Sequence, residues 1–241
     1  MDIKFFLNKY IVEDVKSYEE ASSLEKIGVK LVESISSGSP IDSDIALDFV
    51  NRVEVWKAMG ISERIFGVGK TTAEQAVKAI TNAIKANSKK EQITSFHSLI
   101  GFGISIDKTY RTHKAKVASA AVRFLFPKAW GVVDWRSGAI SQCMIDNNFD
   151  IDKAIISAKK TKRSDWVLLY KHIDADRAIE INNRYSQIGR RFDVPNNADV
   201  DIFLFGVSLD IWPISSKSAK KRLQGDRQKL CLKDSKPFGS A

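Results

Sequence analysis

Apolar residues spaced three and four apart along almost the whole chain constrain this sequence most, because that period buries one side of an α-helix and suits no strand. Over 17–35 the repeat is Leu24, Ile27, Leu31 and Ile35, and over 44–59 it is Ile45, Phe49, Val53 and Trp56. Thr71-Thr72-Ala73-Glu74 has the form of a capping box that opens a helix with Ala76, Val77, Ile80 and Ile84 inward. Ser88-Lys89-Lys90-Glu91 repeats the signal ahead of Ile93, Phe96 and Ile100. A helix over 109–125 carries Ala118, Ala121, Val122 and Leu125 on one face and ends at Pro127. A further helix is expected after Asp134, and others over 164–172, 174–190 and 198–212. The pair Val132-Val133 is too short to found a sheet, and 202–209 reads as a strand or a buried helix. The expected fold is all-α, with a helical domain over 1–214 and a separate tail over 215–241.

Composition excludes several classes. With 44% apolar and 28% charged residues, the chain is an ordinary globular sequence. The two cysteines, Cys143 and Cys231, are too few for a disulfide framework or a four-cysteine metal centre. His97, His113 and His172 are scattered, so neither a metal site nor a cofactor is expected. No apolar run reaches the ~18 residues of a membrane span, and Met1-Asp2-Ile3-Lys4-Phe5-Phe6 lacks the layout of a secretion signal. These features predict a cytoplasmic protein. The net charge of +9 is concentrated in 215–241, where eight Lys and Arg face two Asp. Such a tail suits a polyanion, or serves only to solubilise.

Two glycine pairs attract a phosphate reading. Gly67-Val68-Gly69-Lys70-Thr71 is not a P-loop, because Arg64 stands where the first glycine is required and no apolar strand precedes it. A turn at Gly67 and Gly69 that opens a helix would nevertheless aim backbone N–H groups, and Lys70, at a phosphate; a plain helix-start turn is the simpler use. The second pair is Gly101-Phe102-Gly103, followed by Lys114-Ala115-Lys116-Val117-Ala118 and then by Trp130-Gly131-Val132-Val133-Asp134-Trp135-Arg136.

These residues, within 96–140, resemble the helix-hairpin-helix DNA glycosylase superfamily, and within it the bacterial branch akin to 8-oxoguanine DNA glycosylase. The matching features are the two-glycine hairpin, Lys-Val-Ala at the start of the next helix, and Val-Val-Asp-x-Arg after it. Residues 198–205 weakly resemble a late helix of those relatives. The resemblance implies two helical lobes around a cleft, with the hairpin and catalytic segment over about 93–147. It implies a monomer, associated with the nucleoid, that acts on double-stranded DNA carrying a modified base. Gly101, Phe102 and Gly103 would hold a DNA phosphate, Arg136 would contact a phosphate or the extruded nucleotide, or equally pair with a nearby carboxylate, and Asp134 would assist N-glycosidic cleavage. The base is an oxidised purine in repair or a hypermodified cytosine in defence against phage. Gly103 and Lys116 lie 13 positions apart, more than in the family. Either the hairpin is longer here or Lys114 takes the place of Lys116. A non-catalytic helix-hairpin-helix DNA-binding protein is the competing expectation.

Chain geometry agrees with one part of this. From Lys116 to Leu125 a helix rises about 14 Å, and residues 126–133 can span at most about 26 Å. The chain can therefore return and set Asp134 beside Lys116. As a helix N-cap, Asp134 would be held ionised. Lys114, Arg123 and burial would lower the Lys116 pKa and favour a nucleophilic amine, with strand cutting as a consequence. The same aspartate would cap its helix without any catalysis, and a lysine on a polar stripe with Ala120 and Arg123 is ordinarily solvated.

Overall fold

The computed structural model describes Phe6 and residues 15–57, 71–99 and 114–213. Gly67, Gly69, Lys70, Gly101, Phe102, Gly103, His113, Cys231 and the 215–241 tail lie outside the described residues. So does the side chain of Lys114, whose backbone begins a helix.

The described residues form α1 (Val15–Ser36), α2 (Ser43–Lys57), α3 (Ala73–Lys85), α4 (Lys89–Thr94) and a 3-10 turn (Ser95–Ser98). There follow α5 (Lys114–Leu125), α6 (Trp135–Asp146), α7 (Ile151–Lys160), α8 (Arg163–Leu169), α9 (Ala175–Phe192) and α10 (Asn197–Ile211). No strand occurs among them, so the protein is mostly α. The 202–209 segment resolves as helix. Its apolar residues surround the axis instead of lining one side, which suits an interior helix.

Helix starts follow local chemistry, with two shifts from the expected positions. Thr72, rather than Thr71, caps α3: its hydroxyl accepts from Gln75 N, and Gln75 Oε1 accepts from Thr72 N. Thr71 is buried instead. At α4, Ser88 accepts from Glu91 N, but Glu91 turns back to Asn87 N at 2.8 Å, one residue earlier than a capping box requires. The helix then stops early. The Thr94 and Ser95 hydroxyls donate to the Lys90 and Glu91 carbonyls, which opens the helix into the 3-10 turn. Helix α7 was not expected; Asp150 caps it by accepting from Lys153 N.

The core sits around α5, which packs against α1, α2, α4 and α9. Ala118, Ala121, Val122 and Leu125 are buried as expected, but so are Ala120 and Arg123. The alternative reading of this stripe as solvated does not hold for Ala120 and Arg123. Helix α1 covers it, and Arg123 Nη1 meets Glu25 Oε2 at 3.0 Å. Helix α6 is the second centre, packed against α7, α8, α9 and α10. One apolar core runs through both centres. Lys116 lies on α5, and Asp134 directly precedes α6.

Candidate functional site

Between α5 and α6 residues 130–134 belong to no helix or strand. Side chains bond their peptide groups in place of a sheet. Asn182 accepts from Gly131 N at 2.7 Å and donates to Gly131 O at 3.3 Å. The Tyr185 hydroxyl donates to Val132 O at 2.9 Å. Ser119 Oγ accepts from Val133 N at 3.0 Å while donating to the Lys116 carbonyl at 2.8 Å. Ser137 Oγ accepts from Asp134 N at 3.3 Å. A side chain at position 131 does not fit: a Cβ there would lie 2.6 Å from Asn197 O and 2.8 Å from Asp201 Cβ. Five buried peptide groups find partners in this way, so the stretch is rigid without belonging to a sheet.

This stretch delivers Asp134 to the start of α6. Its Oδ1 accepts from Arg136 N at 2.8 Å and Ser137 N at 3.1 Å, completing a capping box. Its Oδ2 meets Lys57 Nζ, at the end of α2, at 3.8 Å. The two side chains are 23% and 10% exposed, so the carboxylate is recessed but reached by solvent. Burial acts to raise the pKa of Asp134. The Lys57 ammonium, the Ser137 N–H and the Arg136 charge outweigh it, and the carboxyl is held below its ordinary value of 3.8.

Lys116, on the first turn of α5, is half-buried and donates to Lys171 O at 3.0 Å. Burial lowers its pKa from 10.5 to about 8; Asp134 opposes the shift and Lys57 adds to it. The expected electrostatic coupling of Lys116 to Asp134 is therefore present. Lys57 is a cationic neighbour that assists; Arg123 lies two turns further along α5 and is engaged by Glu25.

The Arg136 side chain also bonds the end of α10. It is 9% exposed, donates to Trp212 O at 2.5 Å and to Ser208 Oγ at 3.3 Å, and lies 4.9 Å from the Trp135 ring centre. Its guanidinium bridges α6 and the end of α10. Trp130 is fully buried, with its N–H on Gln92. Trp135 packs on Trp212 with ring centres 4.9 Å apart. A cavity of about 540 Å³ lies near the site but does not include it; Tyr18, Lys26, Lys30, Arg123, Asp199 and Ile202 are among its lining residues.

Sequence reasoning missed two ionisable members of the site, Lys57 and Asp201. No spacing signal links position 57 or 201 to position 134; only packing does. Burial and the Asp134 charge raise the Asp201 pKa from 3.8 to about 7. A raised acid pKa means that the folded chain binds the extra proton, so stability is fullest below about pH 4 and declines as pH rises to about 7. Asp201→Asn is expected to remove this decline and to be more stable than the parent at pH 8. Urea midpoints measured from pH 4 to 8 read the effect. Lys57→Ala removes a charge that disfavours the Lys116 ammonium and frees Asp134 to favour it. The Lys116 titration midpoint should therefore move above about 8, as read by NMR of a carbon-labelled, dimethylated amine.

Among the described residues no three His, Cys, Asp or Glu side chains are placed to hold a metal ion. No helix among them is long and apolar enough to cross a membrane. Comparison of the chain with protein-family models, with curated proteins and with solved structures found no match.

Proposed function

We propose that the protein is a DNA glycosylase of helix-hairpin-helix type that cleaves the N-glycosidic bond of a damaged or modified base turned out of double-stranded DNA. The observation that carries this reading is an Asp134 carboxylate capped by the Arg136 and Ser137 N–H groups, close enough for its charge to act on the recessed Lys116 amine, whose pKa burial lowers to about 8. As the base departs with the bonding electrons, C1′ and the ring oxygen share a positive charge, which Asp134 stabilises. Water then adds to C1′ and gives up a proton. In the other route the neutral Lys116 amine adds to C1′ and loses a proton, and opening of the sugar ring leaves an imine that permits strand cutting. At pH 7 a pKa of about 8 leaves about a tenth of the amine neutral, against roughly one in three thousand at 10.5.

Two helical lobes around a cleft, a phosphate held at Gly101, Phe102 and Gly103, a monomeric state and work in the nucleoid belong to the same proposal. The substrate is an oxidised purine or a hypermodified cytosine. Duplexes carrying each base, followed by alkali to cut at abasic sites, test the activity. A competing reading, a DNA-binding protein without catalysis, draws support from the Lys57–Asp134 ion pair, which already uses the carboxylate. It predicts salt-sensitive binding and no abasic product from any duplex.

A further inference from the structure

Arg123 is charged, buried and short of hydrogen bonds. Its side chain is only 5% exposed. Helix α1 lies on α5 so tightly at Gly28 that a Cβ there would run into the Phe124 carbonyl. The guanidinium beneath it sits over the Phe124 ring, 4.7 Å from the ring centre. Glu25 Oε2 stands 3.0 Å from Nη1 and offsets the charge. That pair lacks the alignment of a hydrogen bond: Nη1 is buried with no hydrogen-bond partner among the described residues. An unbonded donor of this kind costs free energy and calls for an explanation.

The explanation lies in what Arg123 borders. It is part of the wall of the cavity of about 540 Å³, a volume ordinary for a small-molecule site. Much of that wall is one face of α1, with Tyr18, Ser22, Val29 and the exposed cations Lys26 and Lys30 recurring at helical spacing. Ile202 of α10 adds apolar surface. Three acids, Glu25, Glu33 and Asp199, also line it and balance its three cations; Asp199 is held by the Asn196 amide at 2.9 Å. Bulk charge therefore selects nothing here, and directed bonds must. A guanidinium with a ring against its face offers its N–H groups in its own plane, the arrangement that a carboxylate or phosphate accepts.

We propose that this cavity binds a small organic anion, a carboxylate or phosphate carried on an apolar or aromatic body. The oxyanion accepts from Arg123 in place of Glu25, whose side chain is 38% exposed and can turn to water. Lys26 and Lys30 balance the remaining charge, while Tyr18, Val29 and Ile202 cover the body. The cavity does not include Lys116 or Asp134, so the proposal goes beyond the DNA reading and does not rest on it.

The test is calorimetric titration of the full chain with benzoate and with phenyl phosphate, which separates the two oxyanions. At least one is expected to bind saturably at a single site. Acetate and inorganic phosphate, which bring no ring to bury, should bind about tenfold or more weakly. Benzamide, with the ring but no charge, should be weaker by a similar factor. Arg123→Lys keeps the charge but loses the planar fork, and should weaken binding by about tenfold or more. Ser22→Trp fills the cavity without altering any charge and should abolish binding. Urea midpoints show whether each variant is folded. If either fails to fold, Lys26→Gln combined with Lys30→Gln, at two exposed positions, decides the matter by a several-fold loss. The proposal is overturned if neither aromatic anion saturates at millimolar concentration, or if benzamide binds as well as benzoate. It is equally overturned if the folded variants bind like the parent. Binding that survives Ser22→Trp but is lost in Lys57→Ala would put the anion at the 116–134 site and also overturn it.

Discussion

Asp134→Asn is expected to lower base release by about 10²–10⁴-fold without unfolding the protein. Asparagine remains a good N-cap, so its side-chain oxygen can still accept from the Arg136 and Ser137 N–H groups that now bond Oδ1. What it loses is the negative charge, and with it both the stabilisation of the developing sugar cation and the partner of Lys57. The helix should keep its start, and the stability change should stay within about 1 kcal/mol. Alkali-revealed abasic sites measured in single turnover, beside a urea titration of the same variant, separate the chemical loss from a structural one. A variant that releases base at the parental rate would remove Asp134 from the reaction and leave it a cap.

The second large effect is expected at Lys116. If its amine is the nucleophile, Lys116→Ala abolishes the covalent protein–DNA product that borohydride traps, together with strand cutting. Any water-driven base release survives. In the parent, trapping should rise with pH and level off above about 8, because the reactive form is the neutral amine and burial has brought its pKa there. The sign is specific: an amine that acted as a cation would give a signal falling over the same range. In the alanine variant the Lys171 carbonyl loses the donor it has in the parent. That carbonyl lies beside an exposed stretch of chain and can turn to water, so the cost in stability is small. Unchanged trapping in Lys116→Ala would assign the imine to another lysine, with Lys114 the first to test.

Much of the helical framework is local. Asp134 followed by a helix, Ser88 before α4 and the apolar repeat of α5 are all set by neighbours within four residues, so periodicity and capping rules reach them. The misplacements are local too. The α3 cap moved by one residue because Gln75 rather than Glu74 answers the threonine. Helix α7 escaped notice although its Asp150 cap resembles the others. The stripe of α5 is decided at longer range. Arg123 and Ala120 look polar and small in one dimension, and become buried because α1 happens to lie across them.

The candidate site divides in the same way. That the chain could fold back and bring position 134 to position 116 followed from helix rise and loop reach. That Asp134 would cap a helix followed from its residue type. By itself, then, the amino-acid sequence determined most of the helices and several of their capped starts, since each depends on residues close along the chain, and it allowed one carboxylate to approach one amine through the length of chain between them. Tertiary structure alone decided that Lys57 pairs with that carboxylate, that Asp201 lies close enough for the Asp134 charge to raise its pKa, that Arg136 is buried and that the Lys116 amine bonds the Lys171 carbonyl. Those outcomes depend on which helix packs across which, and a Coulomb or burial energy depends on distance in space, which separation along the chain does not encode.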